Sequence, residues 1–116
     1  MSHYTAEVGI VKIKEEFQEE FGYFINKQYE KLTSPIFLEF LDEHPDGPIR
    51  SFVWDHEDSK LSWVGRYKTS YENGIFTYGV YFNESCGGWL YWSDFSDILY
   101  KLKEETIFQD FWDEPV

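Results

Sequence analysis

Hydrophobic and polar residues alternate most regularly between positions 63 and 82, on both sides of an Asn-Gly pair. Asn73 and Gly74 suit the two central positions of a type I′ turn, because both positions require φ > 0. With these residues in the turn, antiparallel pairing places Tyr71 opposite Phe76 and gives the two strands a shared apolar face. The residues on that face are Trp63, Tyr67, Tyr71, Phe76, Tyr78, Val80 and Phe82. The pattern therefore predicts a long β-hairpin with one buried face.

Two shorter apolar segments extend the hairpin into a sheet. The segment SFVWD precedes it across a loop, and the segment WLYW follows it after a glycine-rich turn. Pairing of SFVWD with the hairpin places its apolar side chains on the face already predicted to be buried. The sequence thus predicts a four-stranded antiparallel β-meander, with strands at about 51–55, 60–72, 75–83 and 89–92.

The first part of the chain has the spacing of helices. From Lys14 onward, apolar residues recur every three or four positions and predict a helix. They are Phe17, Phe21, Phe24, Ile25 and Leu32. Ser34 and Pro35 suit the N-cap and the first position of a second helix. Residues 8–13 are ambiguous, because their β-branched side chains favour a strand, whereas Ile10 and Ile13 continue the helical spacing.

Helical spacing returns after the predicted meander. Ser93 is predicted to cap a helix whose buried residues are Phe95, Ile98, Leu99 and Leu102. The capping-box pattern T-x-x-Q at Thr106 predicts a last short helix that ends at Trp112. The whole chain is therefore predicted to be a single α+β domain, with a helical half at about 1–47, the β-meander at 48–92 and C-terminal helices at 93–116. In this arrangement, the N-terminal and C-terminal helices cover the apolar face of the sheet.

The net charge of the chain limits the kinds of macromolecule that it is expected to bind. Its 22 acidic and 10 basic residues give a net charge of −12. A charge of this sign repels nucleic acid and anionic membranes, and it attracts basic protein surfaces. We therefore expect a basic protein partner, such as a nuclease or another nucleic-acid enzyme, with no direct binding of nucleic acid and no membrane association.

Two groups of acidic residues are the candidate partner-binding residues. Glu15, Glu16, Glu19 and Glu20 lie opposite the apolar stripe of the first predicted helix. Like charges four positions apart on a helix destabilise it by about 0.2–0.5 kcal/mol per pair. The four glutamates therefore form either a solvated helix face or a binding surface. The second group, Asp55, Glu57 and Asp58, lies at the loop that follows the first predicted strand.

The sequence contains no recognisable catalytic or cofactor motif. Cys86 lies in a glycine-rich turn with no histidine near it in sequence, which argues against an activated thiolate. His56 lies among the acidic residues of the predicted loop, but their spacing matches no known metal-binding pattern. We therefore predict no catalytic residues, no metal site, no cofactor and no enzymatic activity.

The function predicted from these features is that of a small acidic inhibitor that blocks the basic site of a nucleic-acid-handling enzyme. In size and acidity the chain is similar to phage anti-restriction and anti-CRISPR proteins and to toxin-immunity proteins. The alternative is a non-enzymatic interaction or assembly module that binds a protein partner through exposed aromatic residues. A cytoplasmic location is expected, because the N-terminus lacks a signal-peptide pattern and the chain has a single cysteine.

Overall fold

The computed structural model describes residues 3–48, 69–83 and 88–115, which contain four β-strands and three α-helices. In chain order these are β1 (His3–Ile13), α1 (Gln18–Ile25), α2 (Pro35–Glu43), β2 (Ser70–Glu72), β3 (Ile75–Asn83), α3 (Gly88–Leu102) and β4 (Lys103–Pro115). Single turns of 3₁₀ helix, Glu15–Phe17 and Tyr29–Lys31, flank α1. The strands form one antiparallel sheet in the order β2-β3-β1-β4. The predicted α+β class with a four-stranded antiparallel sheet is confirmed.

The predicted hairpin turn is present between β2 and β3. Asn73 and Gly74 have φ values of 53° and 80°, as a type I′ turn requires. Tyr71 pairs with Phe76, which confirms the predicted register. The Ile13 N–H donates to the Gly74 carbonyl at 2.8 Å, so the turn is joined to the end of β1. The predicted strand at 51–55 and the first part of the predicted strand at 60–72 lie outside the described residues.

The ambiguous residues 8–13 are part of β1, which with β3 forms the centre of the described sheet. β1 pairs with β3 on one side and with β4 on the other. A central strand packs side chains on a pleated surface between two neighbours, and β-branched residues suit that environment. Their strand propensity therefore decides between the two alternatives that the spacing left open.

The predicted strand at 89–92 is wrong, because these residues belong to α3, which begins at Gly88. A short apolar run is compatible with a buried strand or with a helix. Tyr91 and Trp92 precede Phe95 by four and three positions, so the run also continues the helical face of the residues that follow. The predicted burial of Phe95, Leu99 and Leu102 on that face is confirmed.

The last predicted helix, from Thr106 through Trp112, is also wrong, because these residues lie in β4. β4 pairs with β1 along nearly its whole length, from His3 opposite Pro115 to Ile13 opposite Lys103. The backbone hydrogen bonds between β4 and β1 outweigh the helix preference of the capping pattern at Thr106. The sheet therefore contains β1, which includes the residues 8–13 that the sequence left ambiguous, and β4, whose residues were predicted to be helical. Among the described residues its strand order, β2-β3-β1-β4, is not that of the predicted meander.

The helices pack on one face of the sheet around a core of aromatic rings. Phe24 of α1 lies 5.0 Å from Phe37 and 5.5 Å from Phe40 between ring centroids, which joins α1 to α2. Phe21 lies 4.9 Å from Phe76, which joins α1 to the sheet. All five phenylalanines at these contacts are buried, as is Phe95 of α3. Aromatic contacts therefore fix the positions of the three helices.

None of these helices has the length of a membrane span. The longest one in the described part of the chain, α3, has 15 residues, whereas a spanning helix needs about 20 apolar residues.

Candidate functional site

A groove between α2 and α3 brings together acidic residues that are far apart in sequence. Each helix contributes four residues at i, i+3, i+4 and i+7, which is the spacing of one helix face. These residues are Ile36, Glu39, Phe40 and Glu43 from α2, and Asp94, Asp97, Ile98 and Lys101 from α3. The groove has a volume of about 190 Å³.

The base of the groove is apolar. Phe40 is buried, and Ile36 and Ile98 are half-buried. The Phe40 ring lies 5.9 Å from the Phe95 ring in an edge-on contact that packs α2 against α3. The spacing of the two helices is therefore set by the same aromatic core that supports the sheet.

The rim of the groove is acidic. Glu39, Glu43 and Asp97 are exposed, and Asp94 is half-buried. Lys101 is the only basic residue among those that line the groove. Carboxylates along an apolar wall concentrate negative potential, because the low-dielectric wall focuses the field. The groove is therefore suited to a cation that has an apolar stem.

His44, the C-cap residue of α2, contacts two of the residues that line the groove. Its Nε2 atom lies 2.8 Å from Oδ2 of Asp94, and its ring lies 4.7 Å from the Phe40 ring. Glu43, His44 and Asp94 each offer a ligand atom within 4.8 Å of the others, and they form the one such group among the described residues. An imidazole with two carboxylates is a donor set that zinc and other transition metals accept. Glu43, His44 and Asp94 could therefore bind a cation together.

The predicted acidic face of the first helix is divided between two elements. Glu15 and Glu16 lie in the 3₁₀ turn before α1, and Glu19 and Glu20 lie in α1 itself. Glu15, Glu16 and Glu19 are exposed, and the Tyr23 hydroxyl donates to Glu19 at 2.8 Å. Three of the four predicted glutamates are thus available at the surface.

Glu15 has a basic neighbour within the chain. Lys12 forms an ion pair with Glu104 at 2.9 Å. The hydrogen bond and the charge of Glu104 raise the pKa of Lys12, and the charges of Glu105 and Glu15 add to this effect. The negative charge at this end of the sheet is therefore partly neutralised inside the molecule.

Glu20 has a structural role that its sequence position did not reveal. Its carboxylate accepts hydrogen bonds from the backbone N–H groups of Thr33 at 2.6 Å and Ser34 at 2.7 Å, and from the Ser34 hydroxyl. Burial raises the pKa of Glu20, but the hydrogen bonds from Ser34 and Thr33 together lower it to below its usual value. Glu20 thus joins α1 to the start of α2, where backbone N–H groups have no partner within the helix.

The other predicted residues cannot be placed. Asp55, Glu57 and Asp58 lie outside the described residues, as do His56 and Cys86.

A buried carboxylate that sequence analysis did not single out lies on the helix side of the sheet. Glu7 is only 4% exposed, and its Oε2 atom accepts hydrogen bonds from the Tyr78 hydroxyl at 2.7 Å and from Gln109 Nε2 at 3.4 Å. Burial raises the pKa of Tyr78, and the charge and hydrogen bond of Glu7 raise it further. The Tyr78 phenol therefore remains a hydrogen-bond donor over the physiological pH range.

The sequence contained signals for both the groove and the buried carboxylate. Glu7 has the same strand parity as Val11 and Ile13, which lie in the core, and parity alone would have placed its side chain on the core side of β1. For the groove, the matching i, i+3, i+4, i+7 patterns of α2 and α3 were present in the sequence. What the sequence lacked was the information that these two helices are neighbours.

Compared with protein-family models, with curated proteins and with solved structures, the chain matches none.

Proposed function

We propose that this chain is a small acidic binding protein that inhibits a nucleic-acid-handling enzyme by occupying its basic site. The class is that of phage anti-restriction, anti-CRISPR and toxin-immunity proteins. The observation that supports this proposal most directly is the groove between α2 and α3, where four carboxylates surround an apolar base. An enzyme that holds nucleic acid displays lysine and arginine toward the phosphates, and such side chains are complementary to this groove.

The size of the groove favours a side chain of a partner over a free small molecule. Small-molecule sites usually have volumes of about 300–1,000 Å³, whereas this groove has about 190 Å³. An arginine or lysine side chain can place its aliphatic stem against Ile36, Phe40 and Ile98 and its cationic end between the carboxylates. The groove thus provides both of the contacts that a long basic side chain makes.

The net charge of −12 supports the same function at longer range. A strongly acidic protein is steered toward a basic partner, which speeds association at low ionic strength. In the alternative function, binding through exposed aromatic residues, affinity would change little with salt.

Two triple variants with equal changes in charge test the proposal. In the groove variant, Glu39→Gln, Glu43→Gln and Asp97→Asn remove three negative charges from the rim. In the control variant, Glu15→Gln, Glu16→Gln and Glu19→Gln remove three negative charges from the first predicted acidic group. Partners are captured from host lysate by the tagged wild-type protein, and the nucleic-acid activity of a captured enzyme is then titrated with each protein.

We expect stoichiometric inhibition by the wild type, a loss of inhibition of about tenfold or more in the groove variant, and a smaller loss in the control. Binding by the groove variant should also depend less on salt. Equal losses in the two variants would show that the groove contributes no more to binding than the first predicted acidic group, and would contradict its assignment as the main contact. A captured partner without nucleic-acid activity, held equally well at low and high salt, would favour the aromatic interaction module.

A further inference from the structure

An imidazole and two carboxylates converge where the end of α2 lies beside α3. Glu43 is the last residue of α2, His44 is its C-cap, and Asp94 lies in α3. One ligand atom from each of the three residues lies within 4.8 Å of the other two. His44 and Asp94 are 50 positions apart in sequence, so only the packing of the two helices brings the group together.

The separations of these atoms are close to those of ligands around a metal ion. In a tetrahedral zinc site with bonds of about 2.0–2.2 Å, neighbouring ligand atoms lie about 3.3–3.6 Å apart. His44 Nε2 and Asp94 Oδ2 are 2.8 Å apart, so a metal ion would separate them by less than about 1 Å. Glu43 is exposed, so its side chain can rotate to supply a third bond, and water would complete the coordination.

His44 is held in position by its own helix and the turn that follows. Its backbone N–H donates to the Phe40 carbonyl at 2.8 Å, and its carbonyl accepts from the Gly47 N–H at 2.9 Å. Its ring lies 4.7 Å from the Phe40 ring. A ligand that is already fixed by its surroundings loses little conformational freedom when a metal binds. The His44 side chain is also 20% exposed, so an ion can reach it from solvent.

The end of α2 lacks the basic residues that usually stabilise a helix C-terminus. That terminus carries a partial negative charge, which favours a cation in the last turn. The last turn of α2 has no basic residue and contains Asp42 and Glu43 instead. Among the described residues that line the neighbouring groove, Lys101 is the one basic residue. A bound metal ion would therefore offset an excess of negative charge at this end of the helix.

The imidazole determines which class of metal suits the group. Magnesium and calcium prefer oxygen ligands, whereas zinc and other divalent transition metals also accept an imidazole nitrogen. A surface of carboxylates alone would lack this nitrogen ligand. Glu39 and Asp97 line the same groove but lie outside the group of three, so they serve as matched carboxylates in a test.

We propose that Glu43, His44 and Asp94 bind a divalent transition metal ion, and that zinc suits this donor set best. Binding of the metal does not depend on the proposed function. Its consequence for the groove rests on that function, because Glu43 and Asp94 are also two of the four carboxylates that would hold the basic side chain of the partner. The metal and that side chain therefore compete.

Calorimetry with zinc alone tests the site without the partner. The full chain, purified without a polyhistidine tag, is titrated with zinc chloride in a buffer that contains excess magnesium chloride. We expect zinc to bind despite the magnesium, because the nitrogen ligand favours zinc. Displacement of zinc by magnesium or calcium would show binding to carboxylates alone and would overturn the proposal, as would the absence of zinc binding.

Two matched pairs of variants locate the ion. Asp94→Asn and Asp97→Asn each remove one carboxylate of α3 from the groove, and His44→Gln and His3→Gln each remove one imidazole. We expect the replacements at 94 and 44 to weaken zinc binding about tenfold or more, and those at 97 and 3 to change it by no more than about twofold. Circular dichroism checks that each variant remains folded. Equal weakening within either pair would overturn the assignment, as would a zinc affinity that none of the four replacements changes.

An inhibition assay separates the metal site from the proposed function. His44→Gln removes the imidazole and keeps all four carboxylates of the groove, so this variant should still inhibit the enzyme. We expect added zinc to weaken inhibition by the wild type but not by His44→Gln. An equal effect of zinc on both proteins would contradict the competition. Zinc binding without any inhibited enzyme contradicts the proposed function alone, and inhibition by a chain that does not bind zinc contradicts the metal site alone.

Discussion

The role of Glu20 in the fold differs from the role that its charge and spacing predicted. By charge and spacing it belongs with Glu15, Glu16 and Glu19, and sequence analysis placed all four in a binding surface. In the fold, its carboxylate accepts hydrogen bonds from the start of α2, where Ser34 is the N-cap but its own side chain makes no capping hydrogen bond. A residue from the preceding helix therefore satisfies the N–H groups of Thr33 and of the N-cap residue Ser34. In a capping box, the third residue of the helix itself binds the N-cap N–H.

Replacement of Glu20 by alanine should lower the free energy of unfolding by about 1 kcal/mol, the usual cost of a lost helix cap. Because the pKa of Glu20 lies below its usual value of 4.5 in the folded state, its contribution is present above that value and is lost as the pH falls through the lowered pKa. Urea denaturation at neutral pH and at about pH 3 measures both effects, and the difference between wild type and variant should shrink at the lower pH. Glu16→Ala, at an exposed position in the neighbouring 3₁₀ turn, is the control. An equal loss in both variants at neutral pH would argue against the cap.

At the scale of elements, the glycine in strand β1 and the glycine in helix α1 differ in whether a side chain would fit at their position. Gly9 lies in β1 beneath the ring of Tyr78, where an added Cβ atom would lie 2.5 Å from the ring carbon Cζ. The absence of a side chain at this position allows Tyr78 to cross β1 and reach Glu7. Gly22 lies in α1, where an added Cβ would be 3.5 Å from the Tyr71 ring, an ordinary contact distance.

The same substitution should therefore have opposite effects in the two elements. Gly9→Ala should destabilise the protein by about 1–3 kcal/mol, because Tyr78 must move away from Glu7. Gly22→Ala should stabilise it by about 0.5–1 kcal/mol, because alanine is the better residue within a helix. Thermal and urea denaturation of the two variants provide the test. Stabilisation by Gly9→Ala would mean that the Tyr78 ring does not lie over β1.

Elements also differ in how far the local sequence determines them. The start of α2 depends on Ser34 and Pro35, whose effects act within one turn, and its predicted position is correct. The nature of β4 depends on its pairing with β1, about 100 residues away in sequence. A capping pattern at Thr106 is a local preference worth about 1 kcal/mol, whereas a ladder of this length contributes many backbone hydrogen bonds. Elements that are held by distant partners are therefore the ones that local patterns mispredict.

At the scale of the whole molecule, one aromatic core holds the sheet and the groove in place. Phe24 is completely buried and contacts rings from α2 and α3. The two helices that form the groove are thus positioned by a residue that does not line it. Stability and the proposed binding surface are therefore linked through the core.

Truncation of Phe24 to alanine should cost about 3–5 kcal/mol, through lost burial and the cavity that remains. Leu38→Ala, at an exposed position of α2, should change stability by no more than about 0.5 kcal/mol. Urea denaturation measures both values, and near-ultraviolet circular dichroism reports the packing of the rings. A small effect of Phe24→Ala would show that this ring does not connect the three helices.

The sequence by itself determined the features that depend on near neighbours and on composition. The turn at Asn73 and Gly74 follows from the φ angles that these residues tolerate, the start of α2 follows from the geometry of proline, and the net charge is a sum over residues. The tertiary structure decided that residues 3–13 and 103–115 are strands, that Glu20 caps a helix, and that α2 and α3 form an acidic groove. Each of these results depends on a contact between residues that are distant in the chain, and hydrogen bonds and ring contacts of that kind exist only once the chain has folded.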